Sequence, residues 1–138
     1  MRLKDKTAII TGGGSGIGLA TARAFCKEGA KVILFGRRKK KLISAADELG
    51  DSVLIVQGDM THNDDLDQLI NKTLNNFKGI DILVNSAGLY NGAPLHEISD
   101  SQWDGIMDIN IRSIFQLTRR VLPIMMAQKS GSIVHISS

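Results

Sequence analysis

The sequence has little of several features that would point to particular classes of protein. It holds one cysteine, Cys26, so no disulfide can form within the chain, and aromatic residues make up 4% of its 138 residues. No apolar run approaches the length of a membrane span, and the first residues do not resemble a signal peptide. The net charge of +3 is too small to indicate nucleic-acid binding. We therefore expect a cytoplasmic protein that binds neither a membrane nor nucleic acid.

Residue patterns of metal sites and hydrolases are also missing from the sequence. The histidines His62, His96 and His135 are far apart, and no pair of Cys or His residues has the spacing of metal ligands. The motif G-x-S-x-G is absent, so the nucleophile turn of a hydrolase is not predicted. The sequence therefore predicts no metal site and no hydrolase chemistry.

One stretch, residues 11–18, is rich in glycine and lies between a β-prone apolar run and an Ala-rich helical pattern. Strand, glycine turn and helix together direct backbone N–H groups and a helix N-terminus towards an anion. The spacing is T-G-x-x-x-G-x-G, formed by Thr11, Gly12, Gly16 and Gly18, and the pattern G-x-G-x-x-G does not fit. An ordinary glycine-rich connection is the alternative, but the position of the glycines favours a phosphate-binding loop.

The rest of the sequence alternates between short apolar segments and helical patterns. The segments rich in Val and Ile predict strands over residues 6–11, 31–35, 53–57, 80–85 and 132–137. The intervening patterns predict helices over residues 17–28, 38–49, 63–77 and, less regularly, 99–128. Such apolar strands are typical of a parallel sheet covered by helices on both faces. We expect one α/β domain over residues 1–138, built on a doubly wound parallel sheet.

Two pairs of residues predict where helices begin. Ser99 and Gln102 have the S-x-x-Q spacing of a capping box at the start of the long helical region. Thr61 and Asp64 form a second candidate pair before the third helix. Both pairs would satisfy backbone N–H groups that have no partner inside the helix.

Four motifs in order along the chain resemble those of the short-chain dehydrogenase/reductase family. They are the glycine stretch, Asp59-Met60 after the third strand, Asn85-Ser86-Ala87-Gly88 after the fourth, and residues 133–138. The third of these is similar to the family's N-N-A-G, with Ser86 in place of the second Asn. The resemblance implies a Rossmann-like sheet of five strands in the order 3-2-1-4-5. It also implies hydride transfer between a nicotinamide dinucleotide and a carbonyl or alcohol substrate.

The same resemblance implies which residues bind the cofactor. Asp59 and Met60 would meet the adenine, while Asn85, Ala87 and Gly88 would lie on the ribose side. Capping of the following turn is the alternative role of Asp59, and Asn85 is also a candidate to connect strand four to its neighbour. The glycine stretch would contribute Gly12, Gly14, Ser15, Gly16, Ile17 and Gly18.

Arg37 and Arg38 follow the second strand, where an NAD-binding loop usually places an acidic residue that binds the adenosine ribose. That acidic position is occupied by Gly36. A carboxylate would repel a 2′-phosphate, whereas a guanidinium binds it with paired hydrogen bonds. We therefore predict NADP(H) in preference to NAD(H); the alternative is that these cations are a solvated helix start. Many NADP-specific members of the family carry a second basic residue in the glycine loop, where this chain has Ser15.

Two candidate catalytic residues follow from the resemblance. Asn110 matches the helical Asn that holds a water in the proton relay, and Ser138 matches the serine that orients the substrate carbonyl, with Ser137 as the alternative. The family's Tyr-x-x-x-Lys pair is absent, since Tyr90 is followed four residues later by Pro94. We therefore expect the cofactor-binding portion of an oxidoreductase, truncated after strand five. The alternatives are a truncated, non-catalytic module that binds dinucleotides and oligomerises, and a proteolysed or partly disordered form of the full enzyme.

The long helical region carries two apolar rows. Ile114, Leu117, Val121 and Met125 form one row, and Ile111, Phe115, Leu122 and Met126 form the other. A helix with two apolar faces covers more than its own sheet, so it is either a deeply buried core helix or part of a subunit interface. The resemblance favours a homo-oligomer through residues 111–126. Pro123 is expected to distort or break the helix.

Overall fold

The sheet is parallel throughout in the computed structural model, which describes residues 1–90 and 92–137. Its strands are β1 (Thr7–Thr11), β2 (Lys31–Gly36), β3 (Val53–Gln57), β4 (Ile82–Asn85) and β5 (Ser132–His135). Their order is β3-β2-β1-β4-β5, and each neighbouring pair runs in the same direction. The Rossmann-like order that the family resemblance implies is therefore confirmed.

Helices cover both faces of this sheet. They are α1 (Gly16–Lys27), α2 (Lys39–Leu49), α3 (Asn63–Asn76), α4 (Asp100–Met107) and α5 (Ser113–Gln128), with a short 3₁₀ helix at Leu95–Glu97. Successive strand residues point to opposite faces, so Ile9 and Ile10 belong to two different apolar clusters. Ile9 lies in the cluster with Leu117 of α5, and Ile10 lies in the cluster with Leu42 of α2. This two-sided core confirms the predicted doubly wound α/β architecture.

The long helical region is divided rather than continuous. A five-residue π turn, Asp108–Arg112, separates α4 from α5 and contains Asn110. The sequence gives no periodic signal for such a turn, because a π turn adds one residue without changing the residue types around it. α5 runs without a break through Pro123, an exposed position, to Gln128. The Pro123 ring is accommodated on the solvent side of the helix.

The two apolar rows of α5 have different surroundings. Leu117, Val121 and Met125 are buried against the sheet. The second row is exposed in the single chain, with Phe115 at 57% and Met126 at 68% of their full accessibility. Within the described residues, only one face of α5 is covered. Across the helices of the described ranges, none combines the length and the hydropathy needed to cross a bilayer.

One of the two predicted caps is present. The Ser99 hydroxyl accepts a hydrogen bond from Gln102 N at 3.2 Å, and the Gln102 side chain accepts one from Ser99 N at 2.8 Å. The Thr61–Asp64 pair is wrong, because α3 begins after His62 and has no side-chain cap. The Thr61 hydroxyl instead donates to Asp59 Oδ1 at 2.7 Å. The Thr61 hydroxyl is therefore directed back to Asp59 and away from the start of α3.

Candidate functional site

A cleft of about 350 Å³ lies at the carboxyl ends of the strands, around the turn that joins β1 to α1. We call it the glycine cleft. It is lined by residues of the turn between β1 and α1, which we call the glycine turn, and by residues that follow β2, β3 and β4. Its lining comprises Gly12, Gly14, Ser15, Gly16, Ile17, Gly36, Arg37, Arg38, Lys41, Leu42, Gly58, Asp59, Met60, Ser86, Ala87, Gly88, Leu89 and Ile109. Most of the cofactor residues predicted from the sequence therefore share one cleft.

The turn between β1 and α1 needs glycine for backbone conformation at Gly12 and for space at Gly18. Gly12 has φ +64°, and a Cβ there would lie 3.0 Å from Ala87 Cα. Gly18 does not line the cleft. A Cβ at Gly18 would lie 2.3 Å from Gly12 O, so this glycine allows α1 to approach the turn closely. Gly18 thus packs against the back of the turn that forms the cleft.

Thr11 connects the glycine turn to the segment after β4. Its buried hydroxyl accepts hydrogen bonds from Ser86 N and Ala87 N, each at 3.1 Å. The adjoining residues 86–89 line both the glycine cleft and a second cavity described below; we call them the shared strip. Thr11 is part of the T-G-x-x-x-G-x-G motif, but the sequence does not predict that its hydroxyl holds the shared strip.

One end of the glycine cleft is strongly cationic. Arg37, Arg38 and Lys41 line it, and Arg38 Nη2 donates to Ser15 Oγ at 3.4 Å. The backbone at Arg37 is held by Gln57, whose Nε2 donates to Arg37 O at 3.0 Å. Over the described part of the chain, no carboxylate forms an ion pair with any of the cations at residues 37–41. This charge is therefore available to an anionic ligand.

Asp59 lines the glycine cleft and also caps the turn that follows it. Its Oδ1 accepts hydrogen bonds from Thr61 N at 2.8 Å and from the Thr61 hydroxyl. Burial opposes ionisation of the Asp59 carboxyl, but these bonds, with the charges of His62 and Arg37, outweigh it and lower its pKa. Met60 is almost fully buried and contributes to both the core and the cleft wall. Asp59 therefore caps the following turn, which was its alternative role, and also lines the glycine cleft.

Asn85 is not among the residues that line either cavity. It is 1% exposed, and its Nδ2 lies 3.0 Å from Nδ1 of His135, its register partner on β5. The ribose-side position expected of Asn85 is thus not found, whereas the alternative of a connection to the neighbouring strand is. Its Oδ1 is buried with no hydrogen-bond partner in the described ranges.

A second, larger cavity of about 1140 Å³ lies on the other side of the shared strip. We call it the apolar cavity. It is lined by apolar residues, among them Ile106, Ile111, Ile114, Phe115, Leu122 and Ile136, and by Asn110, Thr118, Arg119, His135 and Ser137. Ser138, the predicted substrate-orienting serine, lies outside the described residues. Ser137, its alternative, borders this cavity.

Asn110 reaches from the π turn to the shared strip. Its Nδ2 donates to Leu89 O at 2.7 Å, and its Oδ1 accepts from Leu89 N at 3.0 Å. The extra residue of the π turn brings this side chain against the strip at the edge of the apolar cavity. Asn110 therefore anchors backbone, a contact that the sequence did not predict.

Several lining residues carry no motif signal. Lys41 and Leu42 belong to α2, and Ile109 belongs to the π turn, so each reaches the glycine cleft from an element distant in sequence. Helical spacing from Arg38 could have identified Lys41, which lies one turn further along the same face. Across residues 1–90 and 92–137, no three His, Cys, Asp or Glu residues gather where they could hold a metal ion.

Comparison with known proteins matches residues 6–138 to the family model described as short chain dehydrogenase. An uncharacterized oxidoreductase of Staphylococcus aureus strain USA300 is 41% identical over 99% of this chain, which spans 59% of that relative. A short chain dehydrogenase from Bacillus anthracis superposes with a TM-score of 0.92 at 33% identity, over 96% of this chain and 57% of that one. Serine dehydrogenase from Escherichia coli superposes with a TM-score of 0.89 at 36% identity, over 96% of this chain and 62% of that one. The chain belongs to the short chain dehydrogenase family.

Proposed function

We propose that the glycine cleft binds NADP(H) and that the whole protein transfers hydride between this cofactor and a carbonyl or alcohol substrate. Membership of a dehydrogenase family supports a nicotinamide dinucleotide. The observation that carries the choice of NADP(H) is the cationic end of the cleft, where Arg37 and Arg38 follow β2 and Gly36 occupies the acidic position. A 2′-phosphate would find two guanidinium groups there and no carboxylate directly after the strand.

The residues of the cleft fit a dinucleotide. A Cβ at Gly16 would meet nothing within 4 Å, so open space faces the start of α1. Ser15, the residue before α1, makes no side-chain cap, and the first turn of the helix has no acidic residue. The first N–H groups of α1 are therefore free to bind a pyrophosphate, with the helix dipole adding to the attraction.

The chain's own residues bind and orient the reactants. The nicotinamide would supply the carbon that gives or takes hydride. We place it and the substrate towards the apolar cavity, because the shared strip borders both spaces. Asn110 would hold the strip in position, with one amide hydrogen and one oxygen lone pair left for a water. Ser138 would orient the substrate oxygen, and the Tyr-x-x-x-Lys pair would come from sequence beyond Ser138.

The test is titration of the protein with NADPH and NADH, for wild type and Arg37→Asp. We expect Arg37→Asp to weaken NADPH binding about thirtyfold, or roughly 2 kcal/mol, and to change NADH binding by less than about threefold. Lys40→Asp is the matched control, since Lys40 is exposed on α2 and does not line the cleft. Equal losses for the two dinucleotides would exclude the proposed role of Arg37.

A second candidate function is dinucleotide binding and self-association without catalysis. The exposed row on α5 favours it, because apolar side chains such as Phe115 and Met126 lack cover in the single chain. We propose a homo-oligomer through residues 111–126 in either case, in a cytoplasmic protein. Light scattering should show a wild-type oligomer that is dissociated by Met126→Glu, a change in the exposed row outside the apolar cavity; a wild-type monomer at high concentration would contradict this. Binding of NADPH by the whole protein without NADPH-dependent carbonyl reduction would favour the second candidate.

A further inference from the structure

Lys41 is set apart from the two lysines before it. Lys39, Lys40 and Lys41 are all exposed in the first turn of α2, but only Lys41 lines the glycine cleft. Lys41 N donates to Arg38 O at 3.1 Å, so Lys41 lies one helical turn beyond Arg38 on the same face. The sequence shows a run of like charges, whereas the structure directs one of them to the site.

The position of Lys41 depends on the glycine turn. A Cβ at Gly14 would lie 3.2 Å from Lys41 Cβ, so the missing side chain of Gly14 leaves room for the start of the Lys41 stem. The stem thus begins in contact with the phosphate-binding turn, and a lysine ammonium is carried on four flexible methylenes. Its charge can therefore follow a ligand bound at this end of the cleft.

The charges that line the cleft leave a net excess that suits a phosphate. Among the residues described, the cleft is lined by three cations, Arg37, Arg38 and Lys41, and by the carboxylate of Asp59. The Asp59 carboxylate offsets one of these positive charges. A phosphate monoester carries about −1.5 to −2 at neutral pH. The two arginines and Asp59 alone would leave it undercompensated.

The surroundings of Lys41 give it no competing partner. Within the described ranges, no carboxylate lies in ion-pair distance of Lys41, and the first turn of α2 contains no acidic residue. A cation near a helix N-terminus is also disfavoured by the helix dipole. An anion bound in the cleft would give Lys41 a charge partner and would offset its unfavourable interaction with the helix dipole.

We propose that Lys41 is a specificity-determining residue of the glycine cleft, which favours nucleotides with a 2′-phosphate over those with a free 2′-hydroxyl. This inference rests on the proposed function and adds a third cation, outside the family motifs, to the two arginines. Arg38 is oriented by Ser15, and Lys41 completes the cationic end one helical turn further along α2.

The experiment compares 2′,5′-ADP with 5′-AMP, which differ by the 2′-phosphate alone, by calorimetric titration of the full chain. We expect Lys41→Gln to weaken 2′,5′-ADP binding about fivefold and to leave 5′-AMP binding within about twofold. Lys41→Arg should retain most of the affinity for 2′,5′-ADP. Lys40→Gln is the matched control, one residue away on α2 and outside the cleft. Because Lys41 is exposed, these variants should fold as wild type does, which circular dichroism checks.

The outcomes separate this inference from the proposed function. If wild type binds 5′-AMP as tightly as 2′,5′-ADP, the NADP(H) proposal fails and the role of Lys41 fails with it. If wild type prefers 2′,5′-ADP and Arg37→Asp removes that preference, the NADP(H) proposal stands. In that case, a Lys41→Gln variant that behaves like Lys40→Gln, or that loses both ligands equally, overturns the role of Lys41 alone.

Discussion

The two cavities share one strip of backbone but are built differently. The glycine cleft is formed mainly by turns directly after strands, and many of its lining residues are glycines. The apolar cavity is formed mainly by side chains of α4, the π turn, α5 and β5. A cleft made of backbone depends on a few positions where no side chain fits, whereas a cavity made of side chains tolerates exchange among apolar residues. Substitutions should therefore act differently on the two sides of the strip.

The largest effect is expected at Gly18, behind the glycine cleft. Gly18→Ala should lower the free energy of unfolding by about 3 kcal/mol, since the new Cβ would lie 2.3 Å from Gly12 O, a backbone atom that cannot rotate away. Binding of NADPH and NADH should fall together, because the whole turn must shift. Urea denaturation and titration with both dinucleotides measure these changes.

Gly105 provides the control for this substitution. It lies inside α4, and a Cβ there would meet nothing within 4 Å. Gly105→Ala should raise the free energy of unfolding by about 0.5–1 kcal/mol, the usual gain from Ala over Gly in a helix. If Gly18→Ala and Gly105→Ala had similar effects, close backbone approach would not be what shapes the cleft.

A smaller effect is expected at Asn110, on the side of the apolar cavity. Asn110→Asp keeps the shape of the side chain but cannot donate to Leu89 O, so one of two hydrogen bonds to the strip is lost. We expect a loss of about 1–2 kcal/mol in unfolding free energy and similar weakening of NADPH and NADH binding. Asn71→Asp, at an exposed position on α3, is the control. A loss confined to NADPH would contradict a role through the shared strip.

The smallest effect is expected at Asp59 and depends on pH. Its pKa is lowered in the folded protein, so its ionised form stabilises the fold above the unfolded-state value of 3.8. This contribution is lost as the pH falls through the lower, folded pKa. Asp59→Asn should be less stable than wild type at pH 7 by under about 1 kcal/mol. The gap should close below pH 3.8 in urea denaturation experiments; a gap that is constant with pH would show that the charge is irrelevant.

The sequence predicts the glycine cleft better than the apolar cavity because of how each is encoded. The turn between β1 and α1, the residues after β2 and those after β3 lie in contiguous motifs, and parallel strands bring their carboxyl ends to one edge. The capping box at Ser99 is equally local. Because these motifs are contiguous, their resemblance to those of the family predicts the strand order and most of the cleft.

The remaining features depend on competition between partners that spacing does not reveal. Thr61 could accept a hydrogen bond from the start of α3 or donate one to Asp59, and its side chain is directed to the Asp59 carboxylate, a charged acceptor. Asn85 could face the cleft or pair with His135, and the register of β4 and β5 places the histidine directly beside it. Lys41 reaches the cleft through helix packing, which a charge count along the sequence does not show.

The π turn at Asp108–Arg112 has a consequence for how this chain would respond to a change in length. A π turn holds one residue more than an α-helical turn, so deleting one residue there would restore an ordinary helix and leave its two ends near their places. Leu117 and Val121 would stay under the sheet, while the contact between Asn110 and Leu89 would be lost. A single-residue deletion usually disrupts the packing of a helix. Here it would leave the fold in place and remove the side-chain contact that holds the shared strip.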